Sequence, residues 1–246
     1  MLKTKTMNRR ILNIIAIAAL SVLTLDSCDK ESEGVTRTTY YPTIELEGDA
    51  VMYVDKGSEY VEPGYISMLN GEDVTSGVTV VSDVDTDASG VYYVNYITID
   101  NEDGFGAAAT RKVVVLDFSD PIEGVYVVNS AVSFRDYGGT IANFKGDFEI
   151  LIISNGDGTY YVSDLFGGWY DQGAGYGSNY ACVAVMTING ATVDVDPDDT
   201  FVAGWGDSID DFHDASYDKT TKTLTYQTDY AGIMTFNVTL VKQPIE

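Results

Sequence analysis

The sequence predicts an all-β protein made of two consecutive antiparallel units. Two observations carry that prediction. Short apolar runs, many of them alternating with polar residues, recur along the chain, and turn residues punctuate them at intervals of roughly 8–12 residues. A third observation supports it: no convincing amphipathic helix interrupts the first unit.

The chain opens with a segment of a different kind. Lys3, Lys5, Arg9 and Arg10 form a positive patch, followed by an apolar run from Ile11 to Leu25 broken only by Asn13, Ser21 and Thr24. The run is shorter than the ~20 apolar residues that span a bilayer. It has the form of a secretory signal over residues 1–27. Leu25-Asp26-Ser27-Cys28 resembles the lipobox of bacterial lipoproteins, with Asp26 standing where a small neutral residue is usual. The resemblance implies acylation of Cys28, which becomes the new N-terminus. A diacylglyceryl group plus an amide-linked chain holds far more firmly than one acyl chain, at ~0.8 kcal/mol per buried CH₂. The acidic stretch Asp29-Lys30-Glu31-Ser32-Glu33-Gly34 resembles the export signal of outer-leaflet lipoproteins in glycan-foraging Gram-negative gut bacteria. Residues 28–41 are expected to be a flexible tether.

Composition narrows the function. The formal charge is −24, from 14 Lys+Arg against 38 Asp+Glu. Without residues 1–27 it becomes about −27, because four basic residues and one acidic residue leave. Nucleic acid is excluded as a partner, since that affinity comes from Lys and Arg on phosphates. Anionic headgroups are disfavoured and a neutral sugar is tolerated. With Cys28 acylated, Cys182 stands alone, so neither an intramolecular disulfide nor a Cys zinc site can form. Cys182 sits in the apolar run Tyr180–Val185 and reads as a small buried hydrophobe. The chain has one histidine, His213, which excludes multi-His metal sites. No cofactor and no metal are expected.

The first unit spans residues 42–117. Ile44 and Leu46 alternate with Glu45 and Glu47, and Val51 to Val54 runs into the turn Asp55-Lys56-Gly57. Glu62-Pro63-Gly64 is another turn, and Val78 to Val81 is a short strand. Val91 to Ile99 is apolar on both faces, as for a strand packed on one side and partly covered on the other. Arg111 to Leu116 closes the unit. About seven strands in ~76 residues fit an Ig-like β-sandwich. Tyr60-Val61-Glu62-Pro63-Gly64-Tyr65, Asp73-Val74-Thr75, Gly90 to Tyr96 and Arg111 to Val115 resemble one bacterial Ig-like domain. It was described in a pesticidal crystal protein and recurs in surface lipoproteins. Phe105 departs from the Asn usual in its turn. The resemblance implies a spacer or adhesion module and no enzyme.

Ser119-Asp120-Pro121 reads as a short hinge before the second unit, residues 121–246. Gly124 to Val128, Phe148 to Ile153, Tyr160 to Leu165, Asn179 to Ile188, Ala191 to Val195 and Thr223 to Thr228 read as strands. Asn155-Gly156-Asp157-Gly158 and Asn189-Gly190 mark hairpins. In the last strand Met234, Phe236, Val238 and Leu240 face one way and Thr235, Asn237 and Thr239 the other, so it is half buried. Eight or so antiparallel strands suggest a β-barrel or a curled sandwich. Gly124-Val125-Tyr126 and Thr235 to Leu240 resemble lipocalin-like domains that follow this Ig-like domain in gut-bacterial surface lipoproteins.

The most unusual stretch runs from Asp164 to Gly177. Its glycines permit close approach of a ligand. Trp169, Tyr170 and Tyr176 offer faces for sugar rings, and Asp171 offers acceptors for hydroxyls. Gly204-Trp205-Gly206-Asp207 is a second such loop. Trp169, Tyr170, Asp171, Tyr176, Trp205 and Asp207 are therefore the candidate ligand-binding residues. The competing reading is that Trp169 and Trp205 plug the barrel ends. Asp194 to Asp199 lacks the Gly and Glu of a calcium loop and reads as a solvated acidic turn. Asp207, Asp210, Asp211, His213 and Asp214 read as an acidic loop. Glycosidases need paired carboxylates, but such a loop is expected by chance in so acidic a chain. No hydrolase elbow, phosphate loop or His-Glu-x-x-His motif is present.

The expectation is a non-catalytic lipoprotein of the outer membrane, exposed at the cell surface. It is held in the membrane by a fatty-acyl anchor and binds a polysaccharide or oligosaccharide. The alternative is a structural or adhesion lipoprotein that binds outer-membrane protein partners.

Overall fold

The computed structural model describes residues 38–245. The signal segment, Cys28 and most of the tether lie outside the described residues. The body of the protein is one compact unit, Tyr41–Glu246. Among the described residues no helix is long and apolar enough to cross a membrane.

The first domain is a two-sheet Ig-like sandwich. Strands β1 (Thr43–Leu46), β3 (Tyr65–Leu69) and β4 (Glu72–Asp73) form one sheet. The other has the order β2 (Val51–Asp55), β7 (Ala108–Leu116), β6 (Gly90–Ile97), β5 (Thr79–Ser82), with β2 and β7 parallel. Val54, Val94, Tyr96, Val113 and Val115 make its core. Arg111, fully buried, organises one side of it. Its guanidinium donates to the carbonyls of Asp49, Glu47 (2.8 Å) and Gly64 (3.1 Å) and pairs with Glu62 at 3.0 Å. Tyr60 in turn donates to Glu62. Gly64 has φ +119, and a Cβ there would meet the Glu47 carboxylate. The motifs around Tyr60–Gly64 and Arg111 therefore meet at one buried charge.

The second domain is a closed eight-stranded antiparallel barrel. Its ring runs β8 (Gly124–Val128), β11 (Glu149–Ser154), β12 (Thr159–Val162), β13 (Ala184–Asn189), β14 (Thr192–Val195), β15 (Asp211–Asp218), β16 (Thr223–Tyr230), β17 (Met234–Lys242). Pairing of β17 with β8 closes it. A hairpin, β9 (Phe134–Tyr137) and β10 (Thr140–Asn143), continues the wall beside β17. Inward residues alternate along each strand, as on β16, where Leu224, Tyr226, Thr228 and Tyr230 are buried. Side chains fill the interior: Tyr126, Ile150, Ile152, Phe166, Met186, Leu224, Tyr226 and Phe236 all stand in one core. A packed interior of this kind moves any ligand to the rim.

Several expectations are corrected. Residues 211–218 are a strand, not an acidic loop. Strands β3, β4, β9 and β10 are additional to the strands named from the sequence. The segment 178–180 is a short 3-10 turn rather than the start of a strand. Asp194 to Asp199 ends β14 and enters a 3-10 turn capped by Asp196, whose side chain accepts from the Asp198 N–H at 3.0 Å.

The expected hinge is a tied turn. The Phe118 N–H donates to Asp55, the Asp117 N–H to Glu123, and the Ile122 and Glu123 N–H groups to Asp120. Lys242 donates to the Asp120 carbonyl at 2.8 Å. Beside it lies a shared apolar core. Val114 and Leu116 from the outer face of the Ig-like sheet pack with Val125, Leu151 and Ile153 from the barrel wall, flanked by Tyr53, Val91 and Tyr161. Tyr53 donates to Glu149 at 3.0 Å across it. The barrel thus covers part of this sheet face, while Tyr93 and Ile97 remain exposed.

Candidate functional site

The antiparallel order brings the ends of β12, β14 and β16 and the starts of β13, β15 and β17 to one end of the barrel. It is the end opposite the one where the chain enters from the first domain. The long connections 163–183 and 196–210 meet there.

Asp164 holds the first connection. Its buried carboxylate accepts the N–H groups of Phe166 (2.8 Å), Gly168 (2.9 Å) and Cys182 (2.9 Å). Burial pushes this carboxyl up to about 7, against those three donors. Gly167 and Gly168 then turn the chain with φ +63 and +78 into a π-helical turn, Trp169–Gly173. A Cβ at Gly168 would lie 2.6 Å from Phe148, and one at Gly204 would lie 2.6 Å from Tyr180. These glycines admit aromatic side chains of the protein itself, not the close approach of a ligand. Gln172 closes the wall beside β11: its amide accepts from the Glu149 N–H and donates to the Glu149 carbonyl at 2.7 Å.

The six candidate residues separate into three places. Tyr170, Tyr176 and Trp205 come together. Tyr170 stacks on Tyr176 with 6.1 Å between centroids and meets Trp205 edge-on at 4.8 Å. Tyr180, which sequence reasoning did not single out, contacts Tyr176 at 5.4 Å and Trp205 at 4.9 Å. Four rings thus form a closed cycle. Its outer members are exposed, Trp205 at 42% and Tyr176 at 57%. Its floor is Phe166, Tyr230 and Phe236. Asp207 belongs here too: both its carboxylate oxygens accept from the Tyr230 hydroxyl at 2.9 Å. Burial, and then that bond, hold the Tyr230 hydroxyl well above the usual phenol range.

Trp169 lies elsewhere. It is half buried, edge-on to Phe144 at 5.0 Å and to Phe236 at 6.1 Å, with the Arg135 guanidinium 4.6 Å over its ring. Its free edge lines a small pocket with Lys145, Phe148 and Gly173. Asp171 points into a third place, a groove at the domain junction lined also by Tyr93, Lys112, Glu149 and Tyr161. Burial raises its carboxyl and Lys112 opposes that rise.

Comparison with known proteins places this architecture. A family described as bacterial surface protein, Ig-like domain, matches residues 44–115. A second family, described as a C-terminal domain, matches residues 116–242. No curated protein matches the chain. The crystal structure of the lipoprotein BT2262 from Bacteroides thetaiotaomicron superposes with a TM-score of 0.73 at 38% identity, over 82% of this chain and 100% of that one. A Clostridium perfringens ZmpB structure, an M60 catalytic domain with two CBM51 domains, aligns at 13% identity and a TM-score of 0.27, over 82% of this chain and 21% of that one. That second likeness carries no argument. The chain belongs to the family of the Bacteroides lipoprotein, an Ig-like domain joined to a closed eight-stranded barrel.

Proposed function

We propose that this protein is a lipid-anchored component of the cell envelope, displayed at the surface, whose barrel end binds a neutral polysaccharide or oligosaccharide without catalysis. One observation carries the reading: the closed ring of Tyr170, Tyr176, Tyr180 and Trp205, with Tyr176 and Trp205 exposed at a rim above a filled barrel. Rings locked by each other lose little freedom when a ligand arrives. The Trp205 and Tyr176 faces would take the C–H side of a sugar ring. Hydroxyls would bond the Tyr176 hydroxyl and the lone pairs of Asp207 left over from Tyr230. The −24 charge of the chain favours a neutral ligand over an anionic one. The lipoprotein relative supports the anchor at Cys28, and the Ig-like family match supports the surface location.

The test is affinity electrophoresis of the chain from Asp29 onward through a panel of neutral polysaccharides. Retardation by at least one, abolished in Trp205→Ala, is the expected result. A folded protein retarded by none overturns the reading. A second reading, an adhesion lipoprotein with a protein partner, is favoured by the uncovered part of the Ig-like sheet, where Val81, Tyr93 and Ile97 are exposed. Stoichiometric recovery of one envelope protein with the wild type, lost in Tyr93→Asp, would replace the glycan reading.

A further inference from the structure

The outer wall of the barrel carries a second cluster, separate from the aromatic end. Asp211 and Asp229 face each other across the β15–β16 ladder, and His213 follows two residues after Asp211 on the same strand. One ligand atom from each of Asp211, His213 and Asp229 lies within 4.8 Å of the other two. It is the single such group among the described residues. Like charges directly opposite each other across a ladder are destabilising. Among the described residues no Lys or Arg pairs with these carboxylates: Asp229 pairs with His213 and accepts from the Thr235 hydroxyl, and Asp211 accepts from the Phe212 N–H.

The histidine is held at both nitrogens. Nε2 stands 3.4 Å from Asp229 Oδ2, and Nδ1 stands 3.2 Å from Asp214 Oδ2. Asp214 reaches that position because the ladder slips between His213 and Ser216, and Asp214 adopts φ +51 there. Bulges of this kind re-aim a side chain. Without the slip, strand alternation would turn Asp214 away from its neighbour.

We propose that Asp211, His213 and Asp229 form a binding site for a divalent transition cation of the Zn²⁺ class, with Asp214 as a positioning residue. Zinc bonds of about 2.0–2.2 Å in tetrahedral geometry set ligand atoms about 3.3–3.6 Å apart. The Nε2–Oδ2 separation of 3.4 Å already matches that edge. The exposed Asp211 side chain closes the longer one by a rotation of roughly 1 Å at its tip. Asp214 accepts the Nδ1 proton, which fixes the tautomer that presents the Nε2 lone pair to a metal. Two carboxylates neutralise the cation and leave a position for water. One nitrogen and two oxygens do not supply the six to eight oxygens that Ca²⁺ takes. The expectation of no metal rested on the lone Cys182 and the single histidine; a mixed His–carboxylate site needs neither a Cys nor a second histidine, and a strand pair brings Asp229 to Asp211 from 18 residues away.

His213 is the chain's one histidine, so its ring resonances report on this site alone. The experiment titrates Zn²⁺, and in parallel Ca²⁺, into the untagged chain from Asp29 onward, which contains the whole compact unit. Calorimetry and imidazole ¹H–¹⁵N spectra are the readouts. The expected result is one Zn²⁺ per chain with a shift of the His213 ring signals. His213→Gln and Asp229→Asn each weaken binding at least tenfold. Asp214→Asn weakens it by about 10- to 100-fold, the range for an orienting partner. Asp194→Asn changes nothing, and all variants melt within a few degrees of the wild type. The proposal is overturned if Zn²⁺ fails to bind at millimolar concentration. It is equally overturned if binding survives His213→Gln, or if Ca²⁺ binds as tightly, because either result describes a diffuse acidic surface.

Discussion

Trp169→Ala and Trp205→Ala form a matched pair whose outcomes should separate barrel packing from ligand binding. Trp169 rests on Phe144 and Phe236 and under Arg135. Full removal of a core aromatic costs about 3–5 kcal/mol. Trp169 is half buried, so about 2–3 kcal/mol is expected, including roughly 0.5–1 kcal/mol from the guanidinium over its face. A body of this size shifts by about 2–4 °C per kcal/mol, which gives a fall in Tm of roughly 5–10 °C. Trp205 keeps 42% of its surface exposed, and the rings it meets have other ring neighbours. Its removal should lower Tm by only about 2–4 °C. Thermal melts followed by circular dichroism in the far ultraviolet measure both. A Tm of Trp169→Ala close to the wild type would refute the packing argument. An equal fall in Trp205→Ala would mean that the exposed ring is structural and that the proposed surface is misplaced.

Three further outcomes follow from the geometry. Arg111→Met removes a buried cation that satisfies three carbonyls and pairs with Glu62; a loss of about 3–5 kcal/mol in urea unfolding is expected, and a loss under about 1 kcal/mol would contradict its central place. Leu116 sits in the shared core, so calorimetry of the wild type should show one transition for both domains, and Leu116→Asp should lower it or split it in two; two transitions in the wild type would sink the coupling. Asp164 is held up to about 7, so the folded state keeps its proton to higher pH than the unfolded chain; its contribution is complete below about pH 4 and is lost as pH rises through 7. The stability difference between the wild type and Asp164→Asn should therefore move against the wild type between pH 4.5 and 7.5, and a difference that is flat with pH would argue against the shift.

Much of the fold can be read in the residues, for identifiable reasons. The alternation of Phe236, Val238 and Leu240 with Asn237 and Thr239 marks a half-buried strand, and β17 has that burial pattern. The motifs of the Ig-like domain are legible because they converge on Arg111. Strand β15 is hidden because Asp211, Asp214 and Asp218 give it the composition of a loop, and its slip breaks the period of two. Strands β9 and β10 are four residues each and carry few apolar residues. The hinge reading fails because Ser-Asp-Pro composition does not reveal that Asp120 caps its own turn while Lys242 reaches it from the far end of the chain. At the candidate site, nearness in sequence misled: Trp169, Tyr170 and Asp171 are consecutive, yet a π-helical turn sends them to three places. Tyr180 was missed because it sits in an apolar run, and the tightness of Gly204 against its ring is a feature only packing reveals.

The central claim is that the rim ring of Tyr170, Tyr176, Tyr180 and Trp205 binds a neutral glycan. The most direct test is calorimetric titration of a soluble fragment of a polysaccharide that retards the protein into the wild type, Trp169→Ala and Trp205→Ala, all well below their melting temperatures. The account predicts binding by the wild type and Trp169→Ala with similar Kd, and a loss of about 30-fold in Trp205→Ala, the value of an anchor of about 2 kcal/mol. Unchanged affinity in Trp205→Ala would contradict it, as would a loss confined to Trp169→Ala.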